Sequence, residues 1–94
     1  MKNVVNYMEI WVEQFMDDIL KDRPEVCTCE KCRQDIFALS LNNLQPFYVT
    51  TTKGEILARY NVRYSQFETD ILLAITNAIN LVTSNPHHNE EDWY

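Results

Sequence analysis

The first strong hydrophobic pattern lies in residues 3–21, where apolar side chains recur at intervals of three and four positions. This spacing places them on one face of an α-helix. The face comprises Val5, Met8, Val12, Phe15 and Ile19, and it is widened by Val4, Trp11 and Leu20. Pro24 lacks the amide hydrogen that a further helical turn needs. We therefore predict that this helix ends just before Pro24.

A second helical pattern occupies residues 33–44 and is followed by a different kind of segment. Ile36, Leu39, Leu41 and Leu44 give the apolar spacing, and Pro46 stops the helix. The residues after Pro46, as far as position 51, are aromatic or β-branched, which is typical of extended chain. The sequence predicts a short strand or an extended connector there.

The remaining helices are predicted from two capping boxes, in which a hydroxyl residue is followed three positions later by a carboxylate. The box at residues 52–55 predicts a short helix as far as Tyr60, and the box at residues 65–68 predicts the longest helix, which Asn85 and Pro86 end. The apolar face of this longest helix comprises Ile71, Leu72, Ile75, Ala78, Ile79 and Val82, and Leu73, Ala74 and Leu81 extend it.

Size and composition predict a mainly α fold whose core is small. The chain has 94 residues, a single glycine and three prolines. One domain of this length has a marginal core, so a metal ion or a partner subunit is expected to stabilise it. We predict a helical domain at residues 1–83, a polar tail at 84–94, and a homodimer built on the first and last long helices. The alternative is a monomer in which those two helices pack on each other.

The charge distribution limits the classes of ligand that the protein is expected to bind. The net charge of −6 argues against duplex nucleic acid as a ligand. The middle of the chain is nevertheless basic, because Lys31, Arg33, Lys53, Arg59 and Arg63 stand there against Asp35 and Glu55. Such a segment either receives a small anion or simply solvates helix faces.

The cysteines form the most specific motif. Cys27, Cys29 and Cys32 fall within six residues, a spacing that lets three thiolates converge on one ion. No apolar run is long enough to span a membrane and the N-terminus does not resemble a signal peptide, so we expect a reducing, cytoplasmic location. Zinc is the usual ion at such a site. Asp22, Glu25, Glu30 or a histidine is a candidate fourth ligand. A disulfide and a redox pair of Cys29 and Cys32 are the less favoured alternatives.

Motifs for catalysis are missing from the sequence. There is no glycine-rich phosphate loop, no Ser/His/Asp set and no His/Cys/Cys deaminase pattern. His87 and His88 are adjacent in the predicted tail, where a solvated role is favoured over metal binding. We therefore expect a protein that is not an enzyme.

Residues 24–49 resemble the signature of the late competence development protein ComFB family. The resemblance consists of the cysteine cluster, then Asp35-Ile36, Ala38-Leu39, Leu41-Asn42, Pro46 and Tyr48-Val49, and residues 52–55 are also similar. It implies a small, dimeric, metal-binding protein that is encoded with DNA-uptake genes and has no catalytic role. Cys27, Cys29 and Cys32 match the family's metal cluster, and Asp35, Leu39, Asn43, Pro46 and Tyr48 match its signature.

Two hypotheses about function follow. The first is a zinc-stabilised dimeric regulatory protein. Some relatives are implicated as cyclic dinucleotide receptors, so the resemblance implies cyclic di-GMP or cyclic di-AMP as its ligand. Its candidate ligand residues are Lys31, Arg33, Asp35, Tyr48, Arg59 and Arg63, because arginine and lysine bind phosphate and tyrosine stacks on bases. The second is an adaptor that binds a protein of the DNA-uptake apparatus and no small ligand.

Overall fold

The computed structural model describes residues 4–50 and 62–84, with side chains in the second stretch from residue 67 onward. In chain order, the elements are strand β1 (Val5–Asn6), helix α1 (Tyr7–Lys21), helix α2 (Glu30–Asn42), strand β2 (Tyr48–Val49) and helix α3 (Val62–Ser84). Within these residues, the prediction of a mainly helical domain with the cysteines between its first two helices is confirmed. Of the tail predicted at 84–94, Ser84 is instead the last residue of α3. Residues 85–94 and the short helix predicted at 52–60 lie outside the described residues.

Helix α1 begins at Tyr7, so the predicted start at residue 3 is wrong. Val5 and Asn6 instead form β1, which pairs antiparallel with β2, and Asn6 lies opposite Tyr48. The Asn6 side chain accepts hydrogen bonds from the amides of Met8 (3.2 Å) and Phe47 (2.8 Å). One side chain therefore caps α1 and attaches the segment after Pro46, where the extended chain is confirmed as β2.

Helix α2 begins at Glu30, three residues before the predicted start at position 33. Cys29 is its N-cap, with extended backbone angles (φ −62°, ψ 161°), and its sulfur accepts a hydrogen bond from the Cys32 amide at 3.4 Å. The Arg33 amide donates to the Cys29 carbonyl at 2.9 Å and so closes the first turn. Cysteine is not among the usual capping residues, and the sequence pattern therefore gave no sign of this start.

Helix α3 begins at Val62, which places Ser65 inside the helix rather than at its start. The prediction of a helix opening at Ser65 is therefore wrong. Nothing in the three preceding residues, Val62 to Tyr64, breaks a helix. A hydroxyl residue marks a helix start only where the residues before it are not helical.

The core lies between the three described helices. Its buried apolar residues are Tyr7, Met8, Trp11, Val12, Met16 and Leu20 of α1, Cys32 and Ile36 of α2, and Ile71, Ala74, Ile75, Ala78, Ile79 and Val82 of α3. Phe15 and Ile19 pack against its edge, whereas Val5 is exposed in β1. The predicted apolar faces of α1 and α3 are thus largely buried within one chain, in which α3 packs mainly on α2. No described helix is long and apolar enough to cross a membrane.

Candidate metal centre

The cysteine cluster lies in the loop that joins α1 to α2. At the end of α1, the amides of Asp22 and Arg23 donate to the carbonyls of Ile19 and Leu20, both at 3.1 Å. Val26 then anchors the loop, because its side chain is buried and its amide donates to the Arg23 carbonyl at 3.0 Å. The loop is thus fixed immediately before the first cysteine.

The three sulfur atoms are close together and differ in exposure. The Sγ atoms of Cys27, Cys29 and Cys32 all lie within 4.8 Å of one another. Cys27 and Cys29 are exposed, whereas Cys32, in the first turn of α2, is buried. The structure therefore brings together all three residues that the sequence predicted as metal ligands.

Burial controls the protonation of Cys32. Desolvation, followed by hydrogen bonds with the thiols of Cys29 and Cys27, raises the pKa of Cys32 to about 12. In the metal-free protein this thiol is therefore protonated at neutral pH. A metal ion has to displace the proton, so its binding is weakened as the pH falls.

The donor set fits zinc. Zinc–sulfur bonds of ~2.3 Å in a tetrahedron place the sulfur atoms just under ~4 Å apart, which the cluster reaches by a small closure. Sulfur is a soft ligand of the kind that zinc accepts. The cluster also lies at the N-terminus of α2, whose free amides favour negative charge. The described residues can hold a metal ion through Cys27, Cys29 and Cys32.

The carboxylates proposed as a fourth ligand are not part of this group. Among the described residues, the group contains the three cysteines and no carboxylate. Glu25 accepts a hydrogen bond from Nε of Arg23 at 2.7 Å, and this contact lowers the pKa of Glu25. Glu30 accepts from Nε2 of Gln34 at 3.4 Å. Glu25 and Glu30 thus have partners close by in the chain, Asp22 is the C-cap residue of α1, and the histidines lie outside the described residues.

Two predicted ligand-binding residues form an ion pair beside the cluster. Nζ of Lys31 lies 2.6 Å from Oδ1 of Asp35, one helical turn later, and the two side chains are only 10% and 7% exposed. The other oxygen, Oδ2 of Asp35, is buried without a hydrogen-bond partner. Lys31 therefore neutralises Asp35.

The other predicted ligand-binding residues lie apart from this pair or outside the described residues. Arg33 donates to Oδ1 of Asp17 at 2.8 Å and so links α2 to α1 on a half-exposed surface. Tyr48 is 65% exposed in β2. It lies beyond the other end of α2, which separates it from Lys31 by about 20 Å at a rise of ~1.5 Å per residue. Arg59 lies outside the described residues, and only the backbone of Arg63 is described, in the first turn of α3.

A cleft that the sequence analysis missed lies at the far end of α2. It has a volume of about 430 Å³ and lies between the start of α1, the middle of α3 and the segment that follows α2. Its described lining comprises Met8, Asn43, Leu44, Gln45, Phe67, Asp70, Leu73, Ala74 and Asn77. Asp70 is the one charged residue in the described lining. Three distant segments form it, and no local pattern could have predicted it.

Comparisons with known proteins agree with these features. The family described as late competence development protein ComFB matches residues 5–86. The chain belongs to this family. Among curated relatives, the competence protein ComFB of Bacillus subtilis (strain 168) is 30% identical over 83 residues, which are 88% of this chain and 85% of the relative. A solved structure of the late competence protein ComFB from Bacillus subtilis matches with a TM-score of 0.74 and 29% identity, over 90% of this chain and 96% of the other.

Proposed function

We propose that this ComFB-family protein is a zinc-stabilised homodimer that acts as an accessory or regulatory protein in late competence and is not an enzyme. The convergence of three thiols at the junction of α1 and α2 is the observation that carries the proposal. Membership of the ComFB family supplies the link to competence.

The zinc ion has a structural role in this proposal. Cys27 and Cys29 belong to the loop after α1, whereas Cys32 belongs to α2, so one ion joins two elements of the fold. Bound zinc supplies a fixed tetrahedral crosslink between thiolates, worth on the order of 10 kcal/mol in small sites. A crosslink of this kind offsets the small core of a 94-residue chain.

The dimer proposal rests on apolar surface that one chain leaves exposed. Leu73 and Leu81 of α3 are 59% and 48% exposed. Ile75 and Ile79 of the same helix are fully buried in the chain's own core. The interface therefore uses Leu73 and Leu81, and a Leu73→Glu substitution should dissociate the dimer without opening that core. Light scattering at micromolar concentration tests this, and wild-type protein with the mass of one chain would contradict it.

A genetic complementation experiment tests the role in competence. In the organism that encodes the protein, the gene is deleted and replaced by the wild type or by a variant with Cys27, Cys29 and Cys32 changed to serine. We expect transformation frequency to fall on deletion and to return only with the wild type. Arg23→Gln is the matched control, because it lies in the same loop but removes an exposed ion pair. Normal transformation without the gene would contradict the proposal.

Binding of a cyclic dinucleotide is the finer version of the regulatory hypothesis. The exposed ring of Tyr48 supports it, because such a ring is open for stacking on a base. The pairing of Lys31 with Asp35 and of Arg33 with Asp17 weakens it, since phosphate would have to compete with carboxylates. Calorimetric titration of cyclic di-GMP and cyclic di-AMP into wild type, Tyr48→Ala and Arg59→Ala decides the matter. Absence of binding by the wild type would leave the adaptor hypothesis, for which the cleft beside Leu73 is the candidate contact surface.

A further inference from the structure

Cys29 and Cys32 form a pair of thiols at the start of α2. Cys29 is the N-cap residue, and its Sγ accepts a hydrogen bond from the Cys32 amide at 3.4 Å. Cys32 lies in the first turn of the helix, and the two sulfur atoms are within 4.8 Å of each other. In a helical turn, Cα atoms three positions apart are ~5 Å from each other, within the range of about 4.4–6.8 Å that disulfides span. The turn therefore places the two thiols where a disulfide can form.

The two thiols of this pair differ in their access to solvent. Cys29 is exposed, whereas Cys32 is buried. A small reagent therefore reaches the sulfur of Cys29 first. The Cys32 amide donates to that sulfur, and a donor at a helix start stabilises negative charge on its acceptor. The pair thus has one sulfur that can meet a reagent and a second, close by, that can react with the product.

Cys27, the third thiol of the cluster, is less suited to this pairing. A disulfide between Cys27 and Cys29 would span a single intervening residue, which strains the bond. Cys27 also lies in the loop before the cap, so its position relative to Cys32 depends on the loop rather than on the helical turn. The helix start therefore favours the pair of Cys29 and Cys32.

We propose that Cys29 and Cys32 of the metal-free protein form a disulfide by exchange with a low-molecular-weight disulfide, and that this reaction competes with metal binding. Cys29 attacks one sulfur of the reagent, so a mixed disulfide forms and one small thiol leaves. Cys32 then attacks the Cys29 sulfur, and the second small thiol leaves. The cysteines lose two electrons and two protons, and the two small thiols carry them away.

The competition follows from the ligands that the two states share. Cys29 and Cys32 are two of the three residues that can hold a metal ion. A chain that contains their disulfide keeps the thiol of Cys27 alone, because the sequence has three cysteines. Oxidation should therefore release a metal ion held by the cluster, and a bound ion should protect the thiols. The disulfide itself requires only the metal-free protein, whereas the competition rests on the metal site of the proposed function.

Mass spectrometry of the full chain tests the pairing. Metal-free, reduced protein is treated with glutathione disulfide, quenched with acid, alkylated and digested with trypsin, which cleaves after Lys31 and so separates Cys29 from Cys32. We expect two peptides joined by a disulfide, with the alkyl group on Cys27 and no glutathione retained. Wild-type protein that keeps its thiols, that stops at a glutathione adduct, or that joins Cys27 to another cysteine would overturn the proposal.

Single variants test the order of the two steps. Cys32→Ser should retain glutathione on Cys29, because the second sulfur is missing. Cys27→Ser is the matched control, since it also removes one metal ligand but should form the disulfide as the wild type does. A Cys27→Ser variant that forms no disulfide would overturn the assignment of the pair even if Cys32→Ser fails to fold.

The same reaction in the presence of zinc separates this inference from the proposed function. One equivalent of zinc should slow disulfide formation, and prolonged oxidation should transfer the zinc to a chromogenic chelator. Zinc that binds without slowing the exchange would overturn the competition. Protein that forms the disulfide but binds no zinc would overturn both the competition and the metal site of the proposed function. Zinc binding without disulfide formation in the metal-free protein would overturn this inference alone.

Discussion

The α1–α2 pair has two ends, which the protein holds with different chemistry. At the strand end, formed by β1, β2 and the residues packed on them, the rings of Trp11, Phe47 and Phe67 lie with centroids 5.3–6.2 Å apart. At the cysteine end, residues 24–35, Val26 and Cys32 supply the buried apolar surface. The two exposed thiols there contribute little to packing.

The two ends therefore depend on different interactions for their stability. Aromatic pairs and the hydrogen bonds of Asn6 hold the strand end with groups that the chain itself contains. The cysteine end brings three free thiols together, and in the proposed function a zinc ion connects them. We therefore expect metal removal to loosen one end of the molecule more than the other.

Metal removal should produce the largest effect. Treatment with a chelator should remove a crosslink worth on the order of 10 kcal/mol, and lower pH should assist because the thiols regain their protons. The rate of amide hydrogen exchange should increase most in residues 24–35. Around Trp11 and Phe47 the increase should be smaller or absent. Equal acceleration at both ends would break the comparison.

The buried ion pair of the cysteine end should give the next effect. Asp35→Asn removes the carboxylate that pairs with the buried Lys31 ammonium, and breaking such a buried pair should lower the free energy of unfolding by about 3–5 kcal/mol. The double variant Lys31→Met/Asp35→Leu should recover most of that loss, because apolar residues can replace a buried pair. Denaturant unfolding of the metal-loaded protein measures both, and a double variant as unstable as the single one would contradict this explanation.

Asn6 is the matching test at the strand end. Asn6→Ala removes the cap of α1 and the acceptor for the Phe47 amide, so we expect a loss of about 1–2 kcal/mol. Asn6→Asp keeps the Oδ1 atom that accepts both hydrogen bonds and should retain most of the stability. Zinc affinity, measured by competition with a chromogenic chelator, should be unchanged in both variants; a weaker affinity would show that the two ends are coupled.

The smallest effect is expected for the exposed ion pair. Arg33→Ala breaks the contact with Asp17 on a half-exposed surface, where such pairs contribute about 0–1 kcal/mol. Thermal unfolding should therefore differ little from the wild type. A decrease in stability as large as that for Asp35→Asn would mean that Arg33 has a structural role that its exposure does not indicate.

The sequence predicted features that depend on local spacing and missed those that depend on distant residues. The apolar faces of α1 and α3 and the metal-ligand spacing of the cysteines are local features. The structure brings the three sulfur atoms together and confirms both faces except for Val4, Val5, Leu73 and Leu81, which are exposed. The helix starts were missed because Asn6 takes part in a strand pair with residues more than forty positions away, and because a cysteine caps α2.

The basic middle segment shows the same limit. Counting charges along the chain suggested cations available for phosphate, but Asp17, on a different helix, pairs with Arg33, and Asp35 pairs with Lys31. The second pairing has the spacing of four residues that favours ion pairs on helices, and the sequence therefore contained its signal. The first depends on how α1 and α2 pack, which the sequence pattern does not specify.

Metal content tests the central claim most directly. The protein is purified in reducing buffer without chelator and analysed for zinc, beside the variants Cys32→Ser and Glu25→Gln. We expect about one zinc ion per chain in the wild type and in Glu25→Gln, because three thiolates hold the ion, and little or none in Cys32→Ser. Wild-type protein without metal, or a Cys32→Ser variant with the wild-type zinc content, would contradict the account.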